Sequence, residues 1–464
     1  MILGIDPGRV TGLSAQARRQ LAELLDIWQR HAGKNAEKRK YYEGSIPLSD
    51  VNLGIALPKG MAGLEIGCAW GTNAVDVLAA RSMFDGFVAE NGEIPEDVNR
   101  LVRDNRLIFE YQKATRDELE FGCNFATLSA DPDIGCKIRW HSPLSAAAKW
   151  SGSKSRIDCG LAVISMGRDP EHPELLTPNL VNLYDEAYVW VLTRDGRDWN
   201  ADAYRHRMGR PLMEPLVWNG TSAKPLGRSR LKEPVRRLIQ GYVRTIANAS
   251  IGLEFATAPQ KYLMGVTDEQ FDALVNDKFR QYVGSIIAST VNPDTGEKPS
   301  FGQLPQGNIS PHVEMLRMLS AQFSAATGLT VTDTGVVSEA NPTSSDAILA
   351  QSQTLIAKAQ ELNAGNGDAL RTIALMALAI ARDSTVEELP EEDRNIVAHF
   401  RNPAMPSVAV TADAALKIAS VRQSFAQTNV FLEMLGFDQA DVRRINAQEQ
   451  RARGIALVEE LGEV

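Results

Sequence analysis

Basic side chains recur along residues 228–244, where they could bind phosphates or carboxylates. They are Arg228, Arg230, Lys232, Arg236, Arg237 and Arg244. Apolar residues recur among them at helical spacing from Leu231 to Ile246, which predicts one face of a long helix. The basic face could meet DNA or the carboxylates of a neighbouring subunit, and of these two we favour the carboxylates. The alternative is a solvated face whose local ion pairs contribute about 0–1 kcal/mol each.

Residues 329–343 combine hydroxyls with acidic groups and contain no lysine or arginine. The polar side chains of interest are Thr330, Thr332, Asp333, Thr334 and Glu339. The segment lies between two amphipathic patterns and ends in Asn341-Pro342, so it predicts an exposed loop. Its hydroxyls could hydrogen-bond phosphates weakly. An ordinary surface connection is the alternative.

The sequence lacks the motifs of common catalytic sites. It contains no GxxxxGK[ST] phosphate loop and no GxSxG nucleophile elbow. No CxxC pair occurs, and no histidine cluster completes a zinc site, for His141 and His312 have no partner at ligand spacing. We therefore expect no catalytic residue, no metal and no cofactor, and we expect buried thiols at Cys68, Cys123, Cys136 and Cys159.

The overall charge argues against a protein that coats nucleic acid. The chain has 464 residues and a formal net charge of -9, whereas a protein that grips phosphates tightly is usually basic. Any contact with DNA should therefore be local, weak or sliding. The start, MILGIDPG, does not resemble a secretory signal, and the longest apolar helical run, Thr372 to Ala381, is too short to span a bilayer. The sequence predicts a soluble protein made in the cytoplasm.

The first half of the chain mixes helices with a region rich in strands. Helical spacing predicts helices at 14–31, capped by Ser14, at 70–81 and within 96–121, and a strand at 84–88. Between 122 and 220, apolar stretches are short and separated by glycine, proline and aspartate, which is typical of antiparallel strands.

The second half is mainly helical. Helices are predicted at 231–249, from Ser310-Pro311 to Gly328, and then at about 344–362, 366–383, 411–435 and 438–461. Residues 250–309 break into short elements, including a short helix after Thr267 and a strand at Ile286–Val291. The two helices that flank this segment should pack side by side and carry it at their tip. The fold class is α+β.

Five local patterns, taken in their order along the chain, resemble the portal proteins of long-tailed, siphovirus-type double-stranded-DNA bacteriophages. Each pattern alone is weak, and the order and number of the matches over about residues 15–385 give the resemblance its specificity. Thr72 and Ser82 depart from the apolar consensus of the family near the wing. The patterns are the turn Tyr41-Tyr42-Glu43-Gly44, WGTNAVDVLAARSMFDGF, the passage from Gly227-Arg228-Ser229-Arg230 to QKYLMG, GQLPQGNISPHVEMLRMLSAQFSAATGL, and NPTSSDAILAQSQTLIAKA.

The resemblance implies an elongated α+β subunit with an α/β wing, a two-helix stem, a small α/β clip, a tunnel loop and tunnel helix, and a helical C-terminal crown region. The implied divisions are an N-terminal arm (1–13), wing (14–228), stem helix 1 (229–249), clip (250–309), stem helix 2 (310–327), tunnel loop (328–343), tunnel helix with wing and crown helices (344–400), and C-terminal crown helices (401–464).

The resemblance also implies a dodecameric ring at the portal vertex of a virion, assembled in the host cytoplasm. Double-stranded DNA would pass through its channel during packaging and ejection, and the loop at 328–343 would line the narrowest part. The implied partners are the terminase large subunit, the head-tail adaptor, the major capsid protein and a scaffold protein, with no membrane and no cofactor.

Two rival interpretations remain open. MILGIDPGRVTG resembles the opening of Holliday-junction resolvases with an RNase H-like fold, in which Asp6 would be the first metal-binding carboxylate. Such a nuclease needs further carboxylates around magnesium and a first strand that continues into a hairpin, whereas a helix is predicted at once, at 14–31. The second rival is another head-morphogenesis or adaptor protein, although adaptors are usually shorter. For a portal, residues 1–13 would be a flexible or clasping arm.

Overall fold

The computed structural model has an α+β fold. The residues that the structure describes are 5–47, 65–89, 94–168, 175–257, 261–264, 296, 300–303, 308–336, 345–404, 408–437 and 439–462. In these ranges the helices α1 to α11 are Ala15–Glu43, Trp70–Ala79, Glu96–Asp104, Leu107–Phe121, Glu233–Thr257, Ser310–Thr327, Ser345–Ala381, Glu391–Arg394, Val408–Val421, Asn429–Met434 and Gln439–Gly462.

The strands belong to several small sheets. In chain order, β1 to β15 are Val10–Thr11, Ser45–Pro47, Glu65–Gly67, Phe84–Ala89, Cys123–Asp131, Gly135–His141, Ala146–Ser151, Arg156–Arg168, Leu176–Tyr184, Tyr188–Asp195, Asp198–Arg205, Met213–Val217, Lys261–Met264, Ser300–Gln303 and Ile396–Phe400. The largest sheet has the order β1-β11-β10-β9-β8-β7, and a second has the order β12-β5-β6. All these pairs are antiparallel except β1 with β11, which confirms the antiparallel region predicted at 122–220.

Helix α1 begins at the predicted cap but extends beyond its predicted end. Ser14 Oγ accepts a hydrogen bond from the N–H of Ala17 (3.1 Å). The helix continues to Glu43 and stops at Gly44, whose φ of 72° is the left-handed conformation that favours glycine. Tyr41 and Tyr42 therefore lie in the last helical turn, and the prediction of a turn there was wrong. Beyond residue 31 the helix is bonded to the rest of the fold by Asn35 and Lys38, which donate hydrogen bonds to the carbonyls of Pro143 and Phe121.

Helices α5 and α6 pack side by side, as the sequence predicted. A hydrogen bond places Arg230, just before α5, beside Thr327, and Gly241 lies against Leu319. Later residues along α5 therefore contact earlier residues of α6, so the two helices are antiparallel. Helix α6 begins at Ser310 as predicted, and Asn308 Oδ1, just before the helix, accepts a hydrogen bond from the N–H of Ser310 (2.9 Å).

Helix α7 is one continuous helix of 37 residues, so the prediction of two helices at 344–362 and 366–383 was wrong. Asn366 lies beside the predicted break and is fully buried. Its amide Nδ2 donates to Glu118 Oε2 (2.8 Å) and to the hydroxyl of Tyr111 (3.0 Å). These contacts bond the helix to α4.

Two further predictions need correction. The helical stretch within 96–121 is two helices, separated at Arg106, whose φ is 51°. The helix predicted at 411–435 is divided into α9, a short 3-10 turn at Gln423–Gln427 and α10. The short helix after Thr267 and the strand at Ile286–Val291 lie outside the described residues. Of the predicted clip, the structure describes mainly the end of α5 and the two-stranded pair β13 and β14.

Candidate functional site

The predicted channel and stem residues meet at one junction, where α2 packs across α5 and α6. The Trp70 ring at the start of α2 lies 4.6 Å from the Tyr242 ring and 4.7 Å from the Phe323 ring, measured between centroids. Its indole Nε1 donates to the carbonyl of Thr334 (2.9 Å). Trp70 therefore joins the helix pair to the segment that follows α6. We call this contact region the junction.

The predicted apolar face of α5 forms the inner side of this junction. Its buried side chains and those of α6 share one core cluster. A methyl group added at Gly241 would lie 3.2 Å from Leu319 Cδ2, so glycine permits the close approach of the two helices. The cluster includes Leu231, Val235, Ile239, Val243, Leu319 and Phe323.

Arg230 lies inside the junction, so its predicted place on an outward basic face was wrong. Its side chain is buried, its Nε donates to the carbonyl of Ala74 in α2, and a terminal nitrogen donates to the carbonyl of Thr327 (2.9 Å). Thr327 is the last residue of α6, where carbonyls lack helical partners and the helix dipole favours a cation. Lys358 Nζ of α7 donates to the same carbonyl (2.8 Å). Burial lowers the pKa of Arg230 to about 10.

The other predicted basic residues have several different environments. Arg236 is partly buried: it donates to the carbonyl of Leu231 (2.7 Å) and lies 3.4 Å from Glu37 Oε2. Arg237 forms an ion pair with Glu233 one turn earlier (2.6 Å), as the solvated-face alternative predicted. Three of the basic residues are exposed and have no side-chain hydrogen bond or ion pair with another described residue. They are Arg228, Lys232 and Arg244.

The described part of the predicted channel loop, residues 328–336, is a compact turn and not an open loop. The carboxylate of Asp333 accepts from the N–H and the hydroxyl of Thr330, both at 2.8 Å. The Thr334 hydroxyl is buried and lies 2.6 Å from that of Ser320. Asn73 Nδ2 of α2 donates to the carbonyl of Asp333 (2.7 Å). Thr334 is therefore a packing residue, contrary to prediction.

Of the predicted channel residues that the structure describes, Thr332 is the one whose side chain is exposed. Its hydroxyl lies 2.6 Å from that of Thr330, which is half-buried like Asp333. Glu339 lies outside the described residues. The structure thus brings Thr330, Thr332, Asp333 and Thr334 together, but most of their polar atoms already have partners within the turn or in α6.

A basic cleft, which the sequence analysis did not find, lies between α1 and the segment before α5. It encloses about 500 Å³, and none of its lining residues is an aspartate or glutamate. Residues nearly 200 positions apart form it, so no local pattern could have revealed it. The cations of this basic cleft are Lys34, Lys38, Lys224, Arg228, Lys232 and Arg236, and His31 lines it beside them.

Asp6 does not lie in the setting that an RNase H-like nuclease requires. Its Oδ1 accepts from the N–H of Gly8 (2.9 Å), and Arg9 Nε lies 3.7 Å from Oδ2. Strand β1 has two residues, pairs in parallel with β11 and leads directly into α1 instead of a hairpin. Among the described residues, no group of three or more His, Cys, Asp and Glu side chains could hold a metal ion. Residues 5–13 lie along the sheet with Ile5, Val10 and Leu13 buried, which fits a clasping arm.

The four cysteines are free and buried, as predicted. Burial raises the pKa of the Cys123 thiol to about 12. Within the described ranges, no helix is both long and apolar enough to cross a membrane.

No protein-family model matches the sequence, and the curated proteins include no match. Among solved structures, the chain is similar to a chain of the virion of a native gene transfer agent particle, with 11% identity, a TM-score of 0.48, and coverage of 87% of this chain and 93% of that one. It is also similar to a chain in the neck of the empty particle (10% identity, TM-score 0.45, coverage 76% and 84%). A chain in the neck of the native particle, computed with C12 symmetry, is similar at 10% identity and a TM-score of 0.44, with coverage of 79% and 89%. At this level of similarity, function has to be argued from the residues of the chain itself.

Proposed function

We propose that the chain is a portal protein of a tailed-phage-type particle: a ring-forming structural subunit at the capsid vertex through which double-stranded DNA is packaged and ejected. The observation that carries the proposal is the antiparallel pair α5 and α6. Residues 258–309 connect the pair at one end, and the turn at 328–336 follows it at the other, against α2. This is the arrangement that the sequence resemblance implies for a stem, a clip and a tunnel loop.

The length of the stem helices suits this role. Helix α5 has 25 residues and at a rise of 1.5 Å per residue is roughly 37 Å long. The far end of α5 therefore lies well away from Arg230 in the junction. In a ring, such pairs standing side by side would form the wall of a channel, and residues 337–343, which continue the turn, would approach its axis.

The charge of the chain suits a conduit better than a DNA-binding protein. Contacts to many phosphates release counterions and make binding strong and salt-dependent, so that DNA would tend to stay bound to the channel wall. The chain is acidic overall, and the proposed loop has no lysine or arginine. Thr332 and Glu339 are the residues of this loop that we propose to face DNA.

The proposed role brings the partners that the sequence resemblance implied: eleven further copies in a dodecamer, the terminase large subunit, the head-tail adaptor, the major capsid protein and a scaffold protein. It also places the protein in the virion after assembly in the host cytoplasm. No catalytic step is assigned to the chain.

Negative-stain electron microscopy of the purified chain tests the ring. We expect closed rings whose central hole admits a DNA duplex. Monomers or open filaments at all concentrations would contradict the proposal and favour another head-morphogenesis protein.

Cross-linking tests the channel directly. A Thr332→Cys variant carrying a photoactivatable cross-linker should form DNA adducts in filled particles, since the native cysteines are buried and should not react. Leu176→Cys, at a highly exposed position of β9 (67%), is the matched control and should give no adduct. Equal labelling of DNA at both positions, or none at position 332, would contradict the placement of the loop.

A further inference from the structure

The basic cleft has no carboxylate in its lining; the nearest ones, Glu37 beside Arg236 and Glu120 near Lys38, lie outside it. Only Lys38 and Arg236 of its cations have side-chain hydrogen bonds among the described residues, Lys38 to Asn35 (3.0 Å) and to the carbonyl of Phe121 (2.9 Å). Lys34, Lys224 and Lys232 are exposed and have no such partner there. Cations collected in this way repel each other until an anion binds.

Burial, and then neighbouring charges, lower two pKa values in the cleft. The pKa of His31 is lowered by burial and then by the nearby charges of Lys38 and Lys34. The pKa of Lys38 is also lowered, mainly by burial; Arg236 and Lys34 add to the effect, and Cys123 and Glu120 oppose it. An anion bound in the cleft would raise the pKa values of both His31 and Lys38.

The floor of the cleft narrows the choice of anion. Apolar side chains line it, including Phe121, Phe125, Trp150 and Leu226. A volume of about 500 Å³ is that of a pocket for a small ligand or a few side chains, and is far too small for a duplex. A peptide segment that carries both carboxylates and apolar surface fits this lining better than a phosphate backbone.

The same chain exposes such a segment at residues 383–392, the acidic turn. Glu387, Glu391 and Glu392 are exposed and have no side-chain partner among the described residues, and Pro390 is exposed between them. A capping box between Thr385 and Glu388 holds the turn in shape. Little ordering would be needed on binding, which favours affinity.

One chain cannot place its acidic turn in its own basic cleft. Strand β5 begins at Cys123, which lines the cleft, and ends at Asp131, which pairs with Gly135. Gly135 lies against Ala381, at the start of the acidic turn. The nine residues of β5 span roughly 26 Å at about 3.3 Å per residue, so the two features lie at opposite ends of the strand.

We propose that the basic cleft of one subunit receives the acidic turn of the next copy of this chain. A contact between two different surfaces of identical chains is heterologous, and repetition of it closes a ring when the rotation fits. This inference deepens the proposed function, because it names a contact within the proposed ring.

A charge-exchange experiment tests the contact. One variant carries Lys34→Glu and Lys224→Glu, a second carries Glu387→Lys and Glu391→Lys, and a third combines all four changes. Each of the first two should raise the concentration needed for assembly, measured by sedimentation velocity, at least about tenfold, and the combined variant should recover most of this loss. Assembly of the unchanged chain should weaken as salt is raised from about 0.1 to about 1 M.

The matched control carries Arg19→Glu and Arg168→Glu. Both residues are exposed, do not line the cleft, and should leave assembly unchanged. Thermal unfolding of every variant checks that the fold is retained. Rings that tolerate both reversals, or that the combined variant does not restore, would overturn the inference and leave the proposed portal function standing. Failure of the unchanged chain to assemble at all would contradict the portal proposal itself.

A second test uses duplex DNA as the competing occupant of the cleft. Fluorescently labelled DNA should bind the cleft variant and the unchanged chain equally weakly. If reversal of the cleft abolished DNA binding while assembly stayed intact, nucleic acid would be the occupant and the inference would be wrong.

Discussion

The junction and the basic cleft both take an arginine or lysine from the short segment before α5, yet the two regions use them in opposite ways. In the junction, Arg230 is buried and bonded to main-chain carbonyls of α2 and α6. In the basic cleft, Lys232 is exposed and has no side-chain partner among the described residues. Two positions along the chain thus separate a cation that stabilises the fold from one that is available to another molecule.

The difference shows that the partner of a basic residue matters more than its position in a basic run. Buried charges are expensive unless hydrogen-bonded, so Arg230 must be part of the fold. Exposed cations contribute little to stability. A group of them in a cleft whose lining contains no carboxylate therefore indicates a binding surface. Each prediction below alters one side of this comparison.

Arg230→Ala should have the largest effect on stability. The change removes a buried side chain and hydrogen bonds from a charged donor to α2 and α6, which we expect to cost about 3 kcal/mol in the free energy of unfolding. Urea unfolding followed by circular dichroism measures it. Arg237→Ala, which removes an exposed ion pair with Glu233, is the control and should change stability by less than about 0.5 kcal/mol. Equal losses for the two variants would contradict the distinction between buried and exposed cations.

Sequence periodicity predicted the elements whose contacts are apolar and local. The stripe from Leu231 to Ile246 predicted α5, and Ser14 was correctly identified as the cap of α1. Elements held by buried polar side chains were predicted wrongly. Asn35 and Lys38 bond the continuation of α1 to residues outside that helix, and Asn366 bonds the middle of α7 to α4. None of these residues signals its partner in the sequence.

The candidate sites show the same division. The spacing of 228–244 correctly located a basic segment, but Arg230 precedes the first residue of α5 and so does not follow the helical face. The basic cleft joins Lys34 of α1 to Lys224, and only the tertiary fold brings them together. The threonines at 330–334 are adjacent in the sequence, but the bonds that anchor their turn to the fold come from Asn73 and Ser320, which lie outside the segment.

Glu118 provides a prediction about the buried side of the comparison, because it is a buried charge site without a cation. Burial raises its pKa to about 8, and its Oε1 finds no hydrogen-bond donor in the described part of the chain. The folded state therefore keeps a proton that the unfolded chain releases above about pH 4.5, so stability should fall as pH rises from about 4.5 to about 8. The slope for one proton is about 1.4 kcal/mol per pH unit.

Glu118→Gln should remove this contribution while keeping an acceptor for Asn366. Burial also raises the pKa of Glu120 to about 8 and that of Glu214 to about 7, so the unchanged chain retains a pH dependence. The difference between its urea midpoints and those of the variant, measured from pH 5 to pH 8, isolates Glu118. Parallel curves would show that this carboxyl group does not stay protonated in the folded state.

Lys232→Ala should have the smallest effect on stability and sharpens the comparison from the side of the basic cleft. The side chain is exposed, and its charge lowers the pKa of Lys358, whose pKa is lowered more by burial and by Arg230. Removal of Lys232 therefore relieves repulsion near the junction and should leave the free energy of unfolding unchanged or raise it by less than about 0.5 kcal/mol. A loss above about 1 kcal/mol would mean that the cleft cations also stabilise the fold, and their lack of internal partners would no longer indicate a binding role.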